Sequence, residues 1–198
     1  QLDRGKLEND LRDRISKAGA TLVEGAKVAR IDLGAGEAPH GIELSEQGLR
    51  RRVTCRWVVD ASGRAALLRK RLKSTRGSKH VANAGWFRVK GKVDITRFVP
   101  ESVADWHGVE WAKHRWRSTN HLMGPGYWAW VIPLSSGNTS IGLVGHDSHI
   151  PFDVVRNLDN TLAWMREHEP VLAKELEPCE VLDFGCLKNY SHNVARGW

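Results

Sequence analysis

The sequence predicts an α+β fold in two parts, and three observations carry that reading. Apolar residues recur at helical spacing over residues 3–18 and again over 152–168. Between them lie short runs of strand character separated by glycine-rich corners. A basic, aperiodic stretch over residues 73–84 divides a first meander from a second, more aromatic, mostly antiparallel sheet.

The elements follow in order. Leu7, Leu11, Ile15 and Ala18 fall on one helical face, with Asp3 as the expected N-cap and Gly19 as the expected stop. Thr21–Glu24, Lys27–Leu33, Gly41–Glu46 and Leu49–Asp60 read as strands, turning at Gly34–Gly36 and at Gln47-Gly48. The last of them ends Trp57-Val58-Val59-Asp60, an apolar run suited to burial on both faces. Residues 64–72 read as a helix and 73–84 as a linker. Gly85–Asp94 has strand character with its faces undecided. Trp106, Trp111 and Trp116 recur at a spacing that fits neither one strand face nor one helix face. Tyr127–Leu134 and Thr139–Gly145 form a hairpin around Ser135–Asn138. Phe152–His168 reads as one helix, Pro170 opens another helical turn, and Glu180–Tyr190 is the last strand.

Composition narrows the function classes. The chain has 198 residues, is 41% hydrophobic and carries a net charge of +7. That allows one domain, or one and a half, with a real core. No apolar run has the length of a membrane span, and no basic-then-apolar signal segment opens the sequence. Cys55, Cys179 and Cys186 are odd in number and lack CxxC spacing, which predicts free thiols in a reducing, cytoplasmic setting. His146-x-x-His149 lacks a suitable third ligand and helical spacing, so no metal is expected. Gly124-Pro-Gly126-Tyr-Trp-Ala129 spells GxGxxA, but a strand follows it where a dinucleotide fingerprint needs a helix. It reads as a loop.

Three stretches carry candidate chemistry. "VVDASGR" places Asp60 at the carboxyl end of a strand, where open α/β sheets bind ligands. Small residues after it allow close approach, and Arg64 offers a bidentate cation for phosphate. An ordinary strand-to-helix turn capped by Ser62 would look the same. "WAWVIP" sets Trp128 and Trp130 two apart, on one strand face, as a rigid wall for a planar ring. Plain sheet core is the alternative. A basic run from Arg50 to Lys79, with Asp60 as its only acid, makes a nucleic-acid surface a competitor. Those basic residues straddle a strand and a helix, and no RNA- or DNA-binding motif accompanies them, so nucleic acid is not favoured.

Together these stretches resemble the flavin-dependent halogenase family, within the FAD-dependent monooxygenase and geranylgeranyl-reductase-like flavoproteins. Trp128 to Pro133 matches the halogenase WxWxIP motif at every fixed position. "QLDRGKLENDL", "VVDASGR", "IPLSSGNTSIGLV" and "NYSH" resemble the family's helix entry, strand end, hairpin and approach to its flavin-binding return, with Leu7 and Asn9 as departures. The resemblance implies part of an FAD/NAD(P)-binding α/β fold. Residues 1–79 would belong to the FAD domain, 80–190 to the substrate-side sheet, and 191–198 to a return to the FAD domain. It implies an oxidoreductase in which reduced FAD, oxygen and a halide halogenate an organic substrate. The expected partners are a small-molecule or carrier-bound aromatic substrate, a halide and a separate flavin reductase.

By the same resemblance Gln1, Arg4, Asp60, Ser62, Gly63 and Arg64 are expected at the cofactor, and Trp128 and Trp130 at the wall of the reaction chamber. A hydroxylase or reductase of the same fold is the alternative, and a basic nucleic-acid-binding module is the alternative from another class. The family's upstream GxGxxG turn, its catalytic lysine and its downstream GD segment have no counterpart in these residues. The sequence therefore reads as an internal fragment, expected to bind FAD weakly or not at all by itself and to be inactive alone.

Overall fold

The computed structural model describes residues 2–194. The chain forms two compact units, one of Gln1–Leu7 with Lys79–Ser191, the other of Glu8–Ser78 with His192–Trp198.

The larger unit is built on a five-stranded antiparallel sheet. Its strands are β5 (Ala82–Val89), β6 (Asn120–Gly124), β7 (Tyr127–Pro133), β8 (Thr139–His146) and β9 (Val181–Leu187), in the order β6-β7-β8-β5-β9. Alternation settles the faces. Phe87, Val89, Ala129, Val131, Ile141 and Leu143 project from one face and are buried. They pack with Ile150, from the turn after β8, and with Val155, Met165, Leu172 and Leu176 from the helices α4 (Phe152–Val155), α5 (Leu158–His168) and α6 (Pro170–Leu176). Each fully buried side chain of this kind stabilises by about 1.5–3 kcal/mol. Close approach is required where α4 meets β5, because a Cβ on Gly85 would lie 2.9 Å from Val155.

Buried polar groups in this core are bonded. Asn83 donates to the Asp147 carboxylate at 2.7 Å and to the Ile150 carbonyl at 3.0 Å, and accepts from the Asn189 amide. The Thr139 hydroxyl donates to the Gly91 carbonyl and accepts from the Val93 amide. Such groups fix the loops that leave the sheet ends, since an unmade bond there costs more than a made one gains.

The smaller unit holds most of α1 (Arg4–Lys17) and a three-stranded meander of β1 (Lys27–Asp32), β2 (His40–Glu46) and β3 (Leu49–Cys55). Gln47 and Gly48 both take positive φ, which suits the tight turn joining β2 to β3. A 3-10 turn at Gly63–Ala65, the short α2 (Leu67–Arg71) and a two-stranded ladder of β4 (Thr75–Gly77) with β10 (His192–Val194) complete it. A further short helix, α3 (Ala104–His107), and a 3-10 helix at Ala112–Arg117 belong to the larger unit.

Four sequence expectations are corrected at this level. Thr21–Glu24 is not a strand. The strand expected to run to Asp60 ends at Cys55, and Trp57 and Val59 are 84% and 88% exposed. Their β-propensity finds no ladder partner among the described residues, and a strand needs one. The expected linker contains β4, whose partner β10 lies more than a hundred residues on and leaves no local signal. The helix expected over 152–168 is two helices. Asn157 adopts extended backbone and its side chain accepts from the Asn160 amide, capping a new start.

Candidate functional site

The smaller unit contains a cavity of about 820 Å3. Its wall draws on Leu33 and Gly34 after β1, His40 of β2, Trp57 to Ala61, Gly63, Arg69 of α2 and Val194 of β10. The turn after β3 is organised by Asp60. One carboxylate oxygen accepts from the Ser62 amide at 2.9 Å, the other from the Leu68 amide at 2.8 Å. The Ser62 hydroxyl accepts from the Leu67 amide at 3.1 Å. Asp60 is thus the residue that caps the turn, with Ser62 as a second support. Hydrogen bonding from the Ser62 side chain and backbone, aided by Leu68 and the Arg69 charge, holds the Asp60 carboxyl below its usual pKa.

Arg69 makes the cavity chemically specific. Its Nε is buried and has no hydrogen-bond partner among the described residues. A guanidinium with an unmet donor, a carboxylate held ionised and apolar walls from Trp57, Val58, Leu68 and Leu72 line one space. That set suits a nucleotide-containing cofactor: a cation for phosphate, a carboxylate for ribose hydroxyls and flat apolar surface for a base.

The second candidate surface lies on the larger unit. Trp128, Trp130 and Ile132 share the face of β7 opposite the core. Register sets Trp130 beside Gly142 of β8, and Gly142 beside Trp86 of β5. The Trp130 ring lies over the glycine, so a Cβ there would sit 2.0 Å from its Cζ2. Trp86 lies similarly over Gly185 of β9, at 2.7 Å. The Trp130 indole Nε1 donates to the Ser140 hydroxyl at 3.3 Å. Two indoles laid on glycines make a smooth apolar face. Arg88, on the same face as Trp86, pairs with Asp183 and feels the charge of Asp3 beside the start of α1.

The sequence-predicted residues therefore fall into separate groups. Asp60 and Gly63 line the cavity, and Ser62 supports the turn. Arg64 stands in the 3-10 turn beside them, while the cation lining the cavity is Arg69. Trp128 and Trp130 share one face. Arg4 opens α1 in the larger unit, and Gln1 lies outside the described residues. Sequence reasoning missed Arg69, His40 and Trp86. Arg69 was hidden in a basic helix among equals, and the glycines that reveal Trp86 lie on other strands.

The comparisons with known proteins decide the family. A family model described as an FAD binding domain matches residues 2–140. The chain belongs to the FAD binding domain family. Within this FAD-binding family its relatives include the flavin-dependent halogenase chlA of Dictyostelium discoideum, 28% identical over 205 residues, covering 93% of this chain and 33% of that protein. The flavin-dependent halogenase armH1 of Armillaria mellea is 30% identical over 146 residues, 71% of this chain and 26% of that one. The chain thus spans a third or less of these two relatives. Among solved structures, a flavoprotein/dehydrogenase from Cytophaga hutchinsonii has a TM-score of 0.74 at 19% identity, covering 99% of this chain and 44% of that one. The flavin-dependent brominase Bmp2 has a TM-score of 0.75 at 18% identity, covering 98% and 45%. These likenesses show that this chain has the α+β fold of such flavoproteins. No helix among the described residues is long and apolar enough to cross a membrane.

Proposed function

We propose that this chain is the middle portion of an FAD-dependent halogenase. The observation that carries the reading is the WxWxIP strand, with Trp128 and Trp130 on one non-core face, in an FAD-binding chain whose relatives are named flavin-dependent halogenases. The smaller unit serves the FAD domain and the larger unit the substrate-side sheet, with 191–198 returning toward the FAD domain.

In this reading the residues have distinct tasks. Arg69 and Arg64 offer positive charge to the cofactor's diphosphate, and Asp60 holds the turn that presents Ser62 and Gly63. Gln1 and Arg4 serve the flavin from the helix entry. Trp128 and Trp130 wall the chamber, exclude water and keep the substrate from reaching the cofactor directly. Bound, reduced FAD supplies the activation of oxygen toward halide. The substrate is a small-molecule or carrier-bound aromatic compound, the halide is chloride or bromide, and a separate flavin reductase supplies electrons. The three free cysteines support a reducing, cytoplasmic setting.

The test uses a protein that carries this chain at full length, supplied with reduced FAD, oxygen, bromide or chloride, and a panel of phenols, pyrroles and indoles. Halogenated product that disappears when halide is omitted is expected. Oxygenated product formed equally without halide would instead establish the monooxygenase reading. That second reading is the hydroxylase of the same fold; a reductase would form neither product.

A further inference from the structure

Outside both surfaces, the segment from α3 to β6 holds a cation, Arg115, that forms no ion pair among the described residues. The 3-10 helix Ala112–Arg117 carries Lys113, His114, Arg115 and Arg117 and no acid. The Arg115 guanidinium carbon stands 3.8 Å from the ring centroid of Trp106 and 4.2 Å from that of Trp111. The two indoles attract it and restrict approach to its nitrogen edge. Along that edge Nη2 donates to the Trp106 carbonyl at 3.2 Å, and Nε is buried with no partner. No acceptor among the described residues meets Nη1. Arg88 of β5, by contrast, pairs with Asp183.

Arg115 also lines a cavity of about 240 Å3 with Trp111, His114, Ser118 and Asn120. The Asn120 amide donates to the carbonyls of Arg115 and Ser118, which pins the loop around the cavity. Register sets Asn120 beside Val131, a core residue of β7, so this cavity belongs to the opposite side of β7 from Trp128 and Trp130.

We infer that this cavity is a binding site for a small aromatic carboxylate. A half-buried guanidinium whose Nη1 meets no acceptor among the described residues gains from an anion. The guanidinium edge suits the two oxygens of a carboxylate, with the Ser118 hydroxyl and the His114 ring as neighbouring polar groups. Trp111 lines the same cavity and is 57% exposed, giving an aryl ring a flat surface to lie on. The assignment stands apart from the halogenase reading, because none of its residues is placed at the cofactor or the wall.

The test is titration of the whole chain with benzoate, followed by calorimetry and by the indole and backbone amide signals of an NMR spectrum. Saturable binding is expected, with shifts centred on Trp106, Trp111 and residues 114–120. Arg115→Met should weaken it about tenfold or more, and Arg115→Lys should recover only part of the loss because it keeps charge but not the planar edge. Benzamide, equal in shape and uncharged, should bind at least about tenfold more weakly. If Arg115→Met fails to fold, the benzamide comparison and the shift map decide the matter. Absence of saturation, shifts centred elsewhere, equal binding of benzamide, or tighter binding of chloride or phosphate than of benzoate would each overturn the assignment. Halogenation by a full-length protein could fail with this result intact, and the reverse.

Discussion

At the scale of single residues, Arg69 and Tyr127 make the sharpest statements. Arg69 lines the large cavity with an unmet Nε. In a longer protein that carries this chain and holds FAD, Arg69→Ala should weaken cofactor binding by roughly 1.5–3 kcal/mol, the scale of a lost charge-assisted bond. Flavin fluorescence titration of the two proteins measures it, and unchanged affinity would remove Arg69 from the cofactor's surroundings. Tyr127 is different in kind. Burial, then its hydrogen bond to the Glu169 carboxylate at 2.9 Å, pushes its pKa up to about 12. The folded value exceeds the unfolded one, so the contribution is fully present below about pH 10 and is lost as pH rises through about 12. Burial raises Tyr190 as well, so both tyrosines should titrate late, and Tyr127→Phe should remove about half of the late tyrosinate absorbance. The acid side has the opposite sign. The Arg88 hydrogen bond holds Asp183 below its usual value of 3.8, so that pair's contribution is present above about pH 4 and fades as acid takes the pH lower.

At the scale of elements, the sheet was more legible than the turns around it. The hairpin of β7 and β8 follows from a period of two and a Ser-Ser-Gly-Asn corner, both local signals. The pairing of β4 with β10 was not legible, because ladder partners far apart in sequence leave no periodicity in either. The split between α4 and α5 was hidden because Val155, Leu158, Leu162 and Met165 keep helical spacing across the break. The candidate sites show the same division. Asp60, Ser62 and Gly63 were legible as a turn, although the strand expected to lead into it stops at Cys55, whereas Arg69 and Trp86 acquire meaning only from neighbours that folding brings. Gly142 tests the element directly. An alanine there would press into the Trp130 ring, whose nearest atom would be 2.0 Å from the new carbon. Gly142→Ala should cost about 1–3 kcal/mol, as other overpacking substitutions do. Denaturant unfolding should show a lower midpoint together with altered tryptophan emission; an unchanged midpoint would mean that the indole turns aside freely.

At the scale of the molecule, the two units differ in how much each buries. The larger unit holds the continuous core from Phe87 to Leu176. In the smaller one, Ile31 and Ala66 are the buried hydrophobic residues among those described. Local stability follows burial. Amide hydrogen exchange on the 198-residue chain should therefore protect β5, β7 and β8 far more than β1 to β3 and α2. Equal protection across both units would show that the smaller one draws stability from a source other than its own core.

The unpaired segment from Trp57 to Asp60 has a practical consequence for handling the chain. Two large apolar side chains, Trp57 and Val59, stand exposed on a segment outside any ladder, with Arg56 and Asp60 as flanking charges. Such a segment is a template for intermolecular cross-β growth, and charges at its borders are what slow it. Concentrated preparations are thus expected to precipitate through these few residues first.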